Sequence, residues 1–366
     1  MTSPLVIRLL AQIDETINEE ARAQFFGELA CYWARTGDFE RAERVKQDLR
    51  QTHGDGHNIR VSILIMIAEA LMLYYRELNS NARDRMARAS LLSKAARVPK
   101  LLALTSAWMA HIDFNQNRFE SMASEIFECL GSLDTDDGSA DCRVSLVLGD
   151  AFLFIGKTHS SQAWYERARR AAIKTGDQAA VGAMVYNRAA LRVATSRFRR
   201  AQDPAVELDL SMLRMDVESA INYQHVARIS SLDHLLTTAK IGSLLLQGLY
   251  FDAETLIVEL LMSADVRQGS AQHVLLNADL ALVLSKTGKK TSALQVISQI
   301  ENFAISSLDA DDRVLILSSL REAAAECEQT ELGQNYVATL SSAISEHELQ
   351  LESVREKIMQ FDGIAL

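Results

Sequence analysis

The sequence predicts an all-α protein: a helical-hairpin solenoid with a period of about 40 residues and a C-terminal coiled-coil helix. Three observations carry this. Only 3 Pro and 16 Gly occur in 366 residues, too little turn punctuation for a large β-sandwich or α/β enzyme. Short turn-like signals recur at near-constant intervals between helix-length patterns. The C-terminal segment carries an apolar stripe in alternating steps of three and four. Hydrophobic residues make up 48% and charged residues 23%, so the chain can build a packed core and wholesale disorder is excluded.

Residues 1–21 read as an N-terminal capping helix. Arg8 interrupts the apolar start and no small-residue cleavage site follows, which argues against a signal peptide. The repeats then occupy 22–330. Turn signals lie around Gly37 (ARTGDFERA), Asn117 (FNQNRFESM), Gly156 (FIGKTHSSQ), Gly248 (LQGLYFDAE) and Gly288 (SKTGKKTSA). Further breaks are expected near Leu78–Asn81, at Ser196-Arg197-Phe198 and at Gln329-Thr330. Most intervals keep to one common period or twice it; the irregular one runs from Ser196 to Gly248 and contains Asp203-Pro204. Each interval holds two helix-length patterns. The most apolar run, Val61 to Tyr75, is too short to span a bilayer and contains Glu69, so it reads as a buried helix.

The residues inside the intervals resemble tetratricopeptide (TPR) repeats. In the first, Phe26, Leu29, Ala30 and Trp33 precede Gly37, Asp38 and Phe39, with Ala42 opening the second helix. The fourth has Leu148, Gly149, Phe152, Gly156, Tyr165 and Ala168; the seventh has Leu280, Ala281, Leu284, Gly288 and Ala293. Small residues let the paired helices approach, and large ones fill the seam between repeats. The family's Pro after the second helix is absent, and the repeats are longer than is usual in the family. In TPR arrays the first helix of each repeat lines a concave groove. The resemblance therefore implies a ligand or partner surface that includes His111, Asn115, Arg143, Asp150, Tyr186, Asn187 and Arg192. The positions of the family's clamp lysine hold Gly27, Ala107, Leu146, Tyr186 and Ala278, so a carboxylate clamp of that kind is not expected.

Residues 331–361 read as a capping and coiled-coil helix, and 362–366 as a tail. The seam is Val337, Leu340, Ile344, His347, Leu351, Val354, Ile358 and Phe361. Leu351, Val354, Ile358 and Phe361 are expected to project past the array and meet a partner helix. The dimer interface is accordingly assigned to Leu340, Ile344, His347, Leu351, Val354, Ile358 and Phe361, with helix orientation unfixed by flanking charge. The ending VREKIMQFDGIAL resembles the linker helix between N-terminal TPR regions and GGDEF diguanylate cyclase domains of bacteria. This resemblance implies a sensory fragment of a longer enzyme.

No catalytic motif occurs: there is no phosphate-binding loop, nucleophile elbow or GGDEF sequence. No cofactor is expected. His53, Asp55 and His57 alternate in a glycine-containing turn that sets no metal geometry, and LDTDDGSAD lacks the acidic positions of a calcium loop. No metal site is assigned. The net charge of −10 argues against general nucleic-acid binding. A local inversion, Arg167, Arg169, Arg170, Lys174, Arg188, Arg192, Arg197, Arg199 and Arg200, could meet an acidic partner or simply be a solvated face. Cys31, Cys129, Cys142 and Cys327 form no C-x-x-C pair and read as buried reduced thiols of a cytoplasmic protein. The functional expectation is a non-catalytic sensory or protein-interaction module of a bacterial signalling protein, homodimeric, with no membrane or nucleic-acid partner. It regulates a fused diguanylate cyclase or, alternatively, works as a freestanding adaptor for a protein or peptide.

Overall fold

A computed structural model describes residues 3–53, 58–77, 81–134 and 137–364. Among these residues there are 17 α-helices, two short 3-10 turns and no strand. Helix α1 (Pro4–Glu15) is followed by successive hairpins: α2 (Glu19–Thr36) with α3 (Phe39–His53), α4 (Ile59–Glu77) with α5 (Asn81–Ala95), α6 (Pro99–Asn115) with α7 (Phe119–Ser132), and α8 (Gly138–Phe154) with α9 (Thr158–Thr175). Then come α10 (Gln178–Gln202), α11 (Leu210–Ala227), α12 (Asp233–Leu246), α13 (Tyr250–Leu261), α14 (Ala271–Lys286), α15 (Lys290–Ile300), α16 (Ala310–Glu326) and α17 (Thr330–Ile358). No helix of the described residues is long and apolar enough to cross a membrane. The apolar run in α4 is core, and Glu69 within it is met by Lys46 at 3.8 Å, Arg85 at 3.4 Å and Arg50.

The turn signals fall where the backbone must be left-handed. Gly37, Gly156, Gly248 and Gly288 have φ between 72° and 88°, and Asn117 has φ 55°. Each joins the two helices of one hairpin. At Gly37 a side chain is excluded twice over, because a Cβ would also lie 2.7 Å from the Ser231 amide nitrogen. Glu328, just before the expected break at Gln329-Thr330, also has positive φ. Residues 78–80, the core of another expected break, lie outside the described residues. The break expected at Ser196-Arg197-Phe198 does not exist: α10 continues to Gln202. No Gly or Pro interrupts that stretch, Arg197 points inward to Asp279, and the helix stops just before Asp203-Pro204.

The chain divides into two compact units. The first comprises Met1–Asn187, Asn222–Leu232 and Ser353–Leu366; the second comprises Arg188–Ile221 and Asp233–Glu352. In the first, close helix packing uses small residues as the sequence suggests: Gly27 backs onto Leu64, and a Cβ at Gly149 would lie 2.8 Å from the Tyr165 ring. Stacking is not limited to neighbours, however. Helix α1 buries Leu5, Val6, Leu9 and Ile13 in one cluster with Leu29 and Tyr32 of α2 and Ala179 of α10. Its start is tied to the turn after α9, where the Leu5 amide and the Ser3 hydroxyl both donate to the Gly176 carbonyl at 3.1 and 2.8 Å. The Arg35 guanidinium at the end of α2 pairs with Asp177 at 2.7 Å, and the Ser230 amide donates to the Thr36 carbonyl at 2.9 Å. The unit thus closes on itself.

In the second unit, α14 packs on α15 and α16, around Ala278, Ala281, Leu317, Leu320 and Ala324. The buried pair Arg197–Asp279 crosslinks α10 to α14 at 2.6 and 3.0 Å, and Ser319 of α16 donates to the same carboxylate at 2.7 Å.

The assignment of the C-terminal seam to a dimer interface is corrected by this packing. Leu340 and His347 are buried within the second unit, His347 against the Phe198 ring with centroids 4.3 Å apart, and Ile344 packs at the edge of the same core. Leu351 is half-buried. Val354, Ile358 and Phe361 are wholly buried within the first unit. There Phe361 meets the Phe127 ring at 4.8 Å, Lys357 pairs with Glu120, and Ser160 donates to Asp362 at 2.7 Å. A heptad stripe specifies that one helix face is covered, not what covers it. Here the same chain covers Leu340, His347, Val354, Ile358 and Phe361, so these residues do not form a free seam for a second copy.

Candidate functional site

Alternate helices of the first unit carry inward-facing polar groups. Helix α4 supplies Tyr74, α6 supplies His111, α8 supplies Arg143 and Asp150, all buried, and α10 supplies the half-buried Tyr186 and Asn187. The surroundings are apolar: α6 and α8 bury Leu, Val, Ala and Trp side chains on every side of them. Polar groups in such surroundings must find partners within the protein.

Two small networks result. In one, the Tyr74 hydroxyl lies 3.1 Å from His111 Nε2, and Asn115 donates to that hydroxyl at 3.1 Å and to the His111 carbonyl at 2.9 Å. Burial, helped by the nearby Arg143 charge, holds His111 well below the ordinary imidazole range, so it is neutral. In the other, Asp150 accepts from the Tyr165 hydroxyl and from Asn187, each at 2.6 Å. Burial pushes its carboxyl up to about 7, against the opposing pull of these two hydrogen bonds and of Arg143. Burial and the Asp150 charge raise Tyr186 above the usual phenol range.

Arg143 is a third buried polar group, in electrostatic reach of both networks. It is 3% exposed, its guanidinium lies 3.7 Å above the centre of the Trp108 ring, and its Nη1 has no hydrogen-bond partner. It opens onto a cavity of about 140 Å³. The apolar wall includes Leu9, Leu64, Leu71 and Trp108. Four cationic residues line it, Arg8, Arg35, Lys100 and Arg143, against three carboxylates, Glu28, Asp137 and Asp177. Arg35 and Asp177 neutralise each other. Burial raises the Glu28 carboxyl above its usual range, although Lys100 and Arg8 act in the other direction.

Of the residues assigned to the groove from the sequence, His111, Asn115, Arg143, Asp150, Tyr186 and Asn187 all lie in this unit. Arg143 alone of these lines the cavity, and it is buried rather than presented on an open surface. Arg192 does not join them: it belongs to the second unit, where it and Arg188 pair with Asp216. Much of the basic stretch is satisfied internally, with Arg167 on Asp141 at 2.8 Å, Arg169 on Glu166 at 3.2 Å and Arg197 on Asp279. Arg143 is therefore a buried group and Arg192 a partly exposed one tied to Asp216, and neither is a free cation on a solvated face. Sequence reasoning misses Arg8, Glu28, Lys100 and Trp108. The one signal available is a single Arg inside the apolar run of α8, and it does not report the residues opposite.

Asp55 and His57 of the histidine-rich turn lie outside the described residues. Among the described residues, Asp309, Asp311 and Asp312 at the start of α16 are the one group of acidic, His or Cys side chains close enough for three to share a cation. Burial, then the neighbouring Asp311 and Asp309 charges, pushes Asp312 up to about 7. Acidic side chains are expected at a helix N-terminus without any ion. The four cysteines are buried and unpaired, and burial pushes Cys31, Cys129 and Cys142 up to about 12, which makes them inert thiols. No protein-family model matches the chain, and a search of curated proteins finds no significant match.

Proposed function

We propose that the chain is a non-catalytic, TPR-like binding module of a bacterial signalling protein, working in the cytoplasm. A ligand enters the first unit, and the change is passed to an output domain of the diguanylate cyclase type. The observation that supports a ligand-receiving role is the cavity lined by α1, α2, α4, α6 and α8, with one buried and unpaired guanidinium in its wall. A protein that only needed a packed core gains nothing from an Arg there. Thermal unfolding of the purified chain against a panel of small anions and peptides tests binding. Joining the chain to a GGDEF domain and measuring cyclic dinucleotide synthesis, with and without a compound that binds, tests signalling. A bound compound that leaves synthesis unchanged refutes the sensory reading.

A freestanding adaptor is the second reading. It is favoured by an apolar stripe along α13 and its C-cap in the second unit, where Phe251, Val258 and Met262 are 73%, 38% and 76% exposed. Their spacing of seven and four puts them on one helix face. A protein partner captured by the intact chain and lost with Phe251→Asp supports that reading.

A further inference from the structure

We propose that the cavity of the first unit binds a small organic anion whose apolar body is the size of one aromatic ring. The Arg143 guanidinium and the first-turn N–H groups of α8 hold its head group. This rests on the ligand-receiving reading above and narrows it to a chemical class.

The argument starts from what is left unmatched. Arg143 is almost wholly buried, no carboxylate lies within ion-pair distance of it among the described residues, and Nη1 lacks an acceptor. The Trp108 face stabilises a cation but accepts no directed N–H bond of normal strength. A buried guanidinium left in this state is costly unless an anion completes it. The second unmatched group is backbone. Gly138, Ser139 and Ala140, the first turn of the 17-residue helix α8, line the same cavity, and their N–H groups have no intrahelical acceptor. The N-cap Asp137 does not cap them; its side chain turns back to accept from the Asp134 amide at 3.0 Å. A helix start and a guanidinium further along the same helix offer directed N–H groups and a full positive charge to one anion.

Competing carboxylates do not fill this role. Asp177 is occupied by Arg35 at 2.7 Å and by the Ala180 amide at 3.0 Å. Burial raises the Glu28 carboxyl above its usual range, with Lys100 and Arg8 acting in the other direction, so burial disfavours its charged form as a rival anion. Asp137 remains as one negative charge, against Arg143 and the exposed Lys100 and Arg8. Much of the remaining wall is aliphatic or aromatic, so the ligand needs an apolar body. An apolar cavity of roughly 150 Å³ accommodates benzene, and this one is about 140 Å³. A carboxylate and a phosphate ester share the required head-group chemistry.

The test is isothermal titration calorimetry of the full chain with benzoate, phenyl phosphate and benzyl alcohol. Saturable one-site binding of benzoate or phenyl phosphate, much tighter than that of the neutral alcohol, is expected. The tighter of the two anions identifies the head group as carboxylate or phosphate. Arg143→Gln should weaken it roughly 10- to 100-fold, the range for a hydrogen bond to a charged partner. Lys100→Gln, at an exposed position that does not threaten folding, should weaken it about twofold to threefold. No binding of either anion, preference for benzyl alcohol, or affinity indifferent to both substitutions overturns the proposal. Peptide binding that survives both substitutions overturns this site while leaving the broader ligand-receiving reading standing. Anion binding without any effect on a joined output domain does the reverse.

Discussion

Replacing Asp279 by Ala should be the most damaging single polar change in the second unit. Asp279 is wholly buried on α14, and three bonds converge on its carboxylate: two from Arg197, at 3.0 and 2.6 Å, and one from Ser319, at 2.7 Å. Removing it leaves Arg197, whose side chain is 10% exposed, with only the Ser319 hydroxyl at 3.1 Å. Breaking a buried pair from one side typically costs about 3–5 kcal/mol, because the surviving charge stays buried without a counter-charge. A loss of about 4 kcal/mol is expected. The paired change Arg197→Met with Asp279→Val should recover at least ~2 kcal/mol of this, since it removes the stranded charge. Urea unfolding followed by far-ultraviolet circular dichroism measures both. Tryptophan fluorescence serves as a separate channel, because Trp33, Trp108 and Trp164 all belong to the first unit. A cost below about 1 kcal/mol for the single change, or a double variant no more stable than the single one, would refute the assignment of this pair as a buried crosslink.

The remaining predictions concern the first unit and the chain's end. Phe361→Ala should destabilise by about 3 kcal/mol, the low end for a buried Phe because the half-exposed Phe127 can lean into the space, and intact and variant chains should both sediment as monomers. Gly37→Ala should cost well over ~1 kcal/mol in thermal unfolding and Gly156→Ala only about 1 kcal/mol, since both have positive φ but only Gly37 meets a neighbour. For pH, the folded pKa of Asp150, about 7, lies above its unfolded value of about 3.9, so its contribution falls as pH rises from about 4 to 7. His111 is depressed, so its contribution is complete above about 6.5 and is lost as pH falls below that. The two slopes oppose each other. Asp150→Asn should therefore expose the His111 slope, with unfolding midpoints dropping more steeply toward pH ~5 than in the parent chain; an unchanged profile counts against both assignments.

The hairpin punctuation is legible because it is local. A glycine or asparagine at Gly37, Asn117, Gly156, Gly248 and Gly288 marks a backbone conformation that other residues disfavour, and the structure places a left-handed residue at each. The false break at Ser196-Arg197-Phe198 comes from spacing alone, with no residue there that stops a helix. The C-terminal stripe does report a covered face, but periodicity carries no information about the partner, and Leu340, His347, Val354, Ile358 and Phe361 of that stripe are covered by the same chain. The site is legible only as a set of inward-facing helices. Arg143 can be named from its place on α8, but its stacking on Trp108 and the approach of Arg8 and Lys100 depend on other helices. Such meetings are set by tertiary packing and leave no trace in local sequence.

The docking of α1 has a consequence for how the chain is made. Its first anchor, Ser3, bonds to a carbonyl 173 residues further along. At ribosomal rates of roughly 5–20 residues per second, Gly176 follows Ser3 by on the order of 10–35 s. Throughout that interval α1 carries Leu5, Val6, Leu9 and Ile13 with part of their final surroundings unmade. Helix α1 is thus seated fully only after α9 and the start of α10 have been made, and until then it is an apolar segment open to ribosome-associated chaperones or to misplaced contacts. Arrested nascent chains that expose α9 alone, or α9 together with the start of α10, should differ in protease cleavage within α1. Equal cleavage in the two would place the seating of α1 elsewhere.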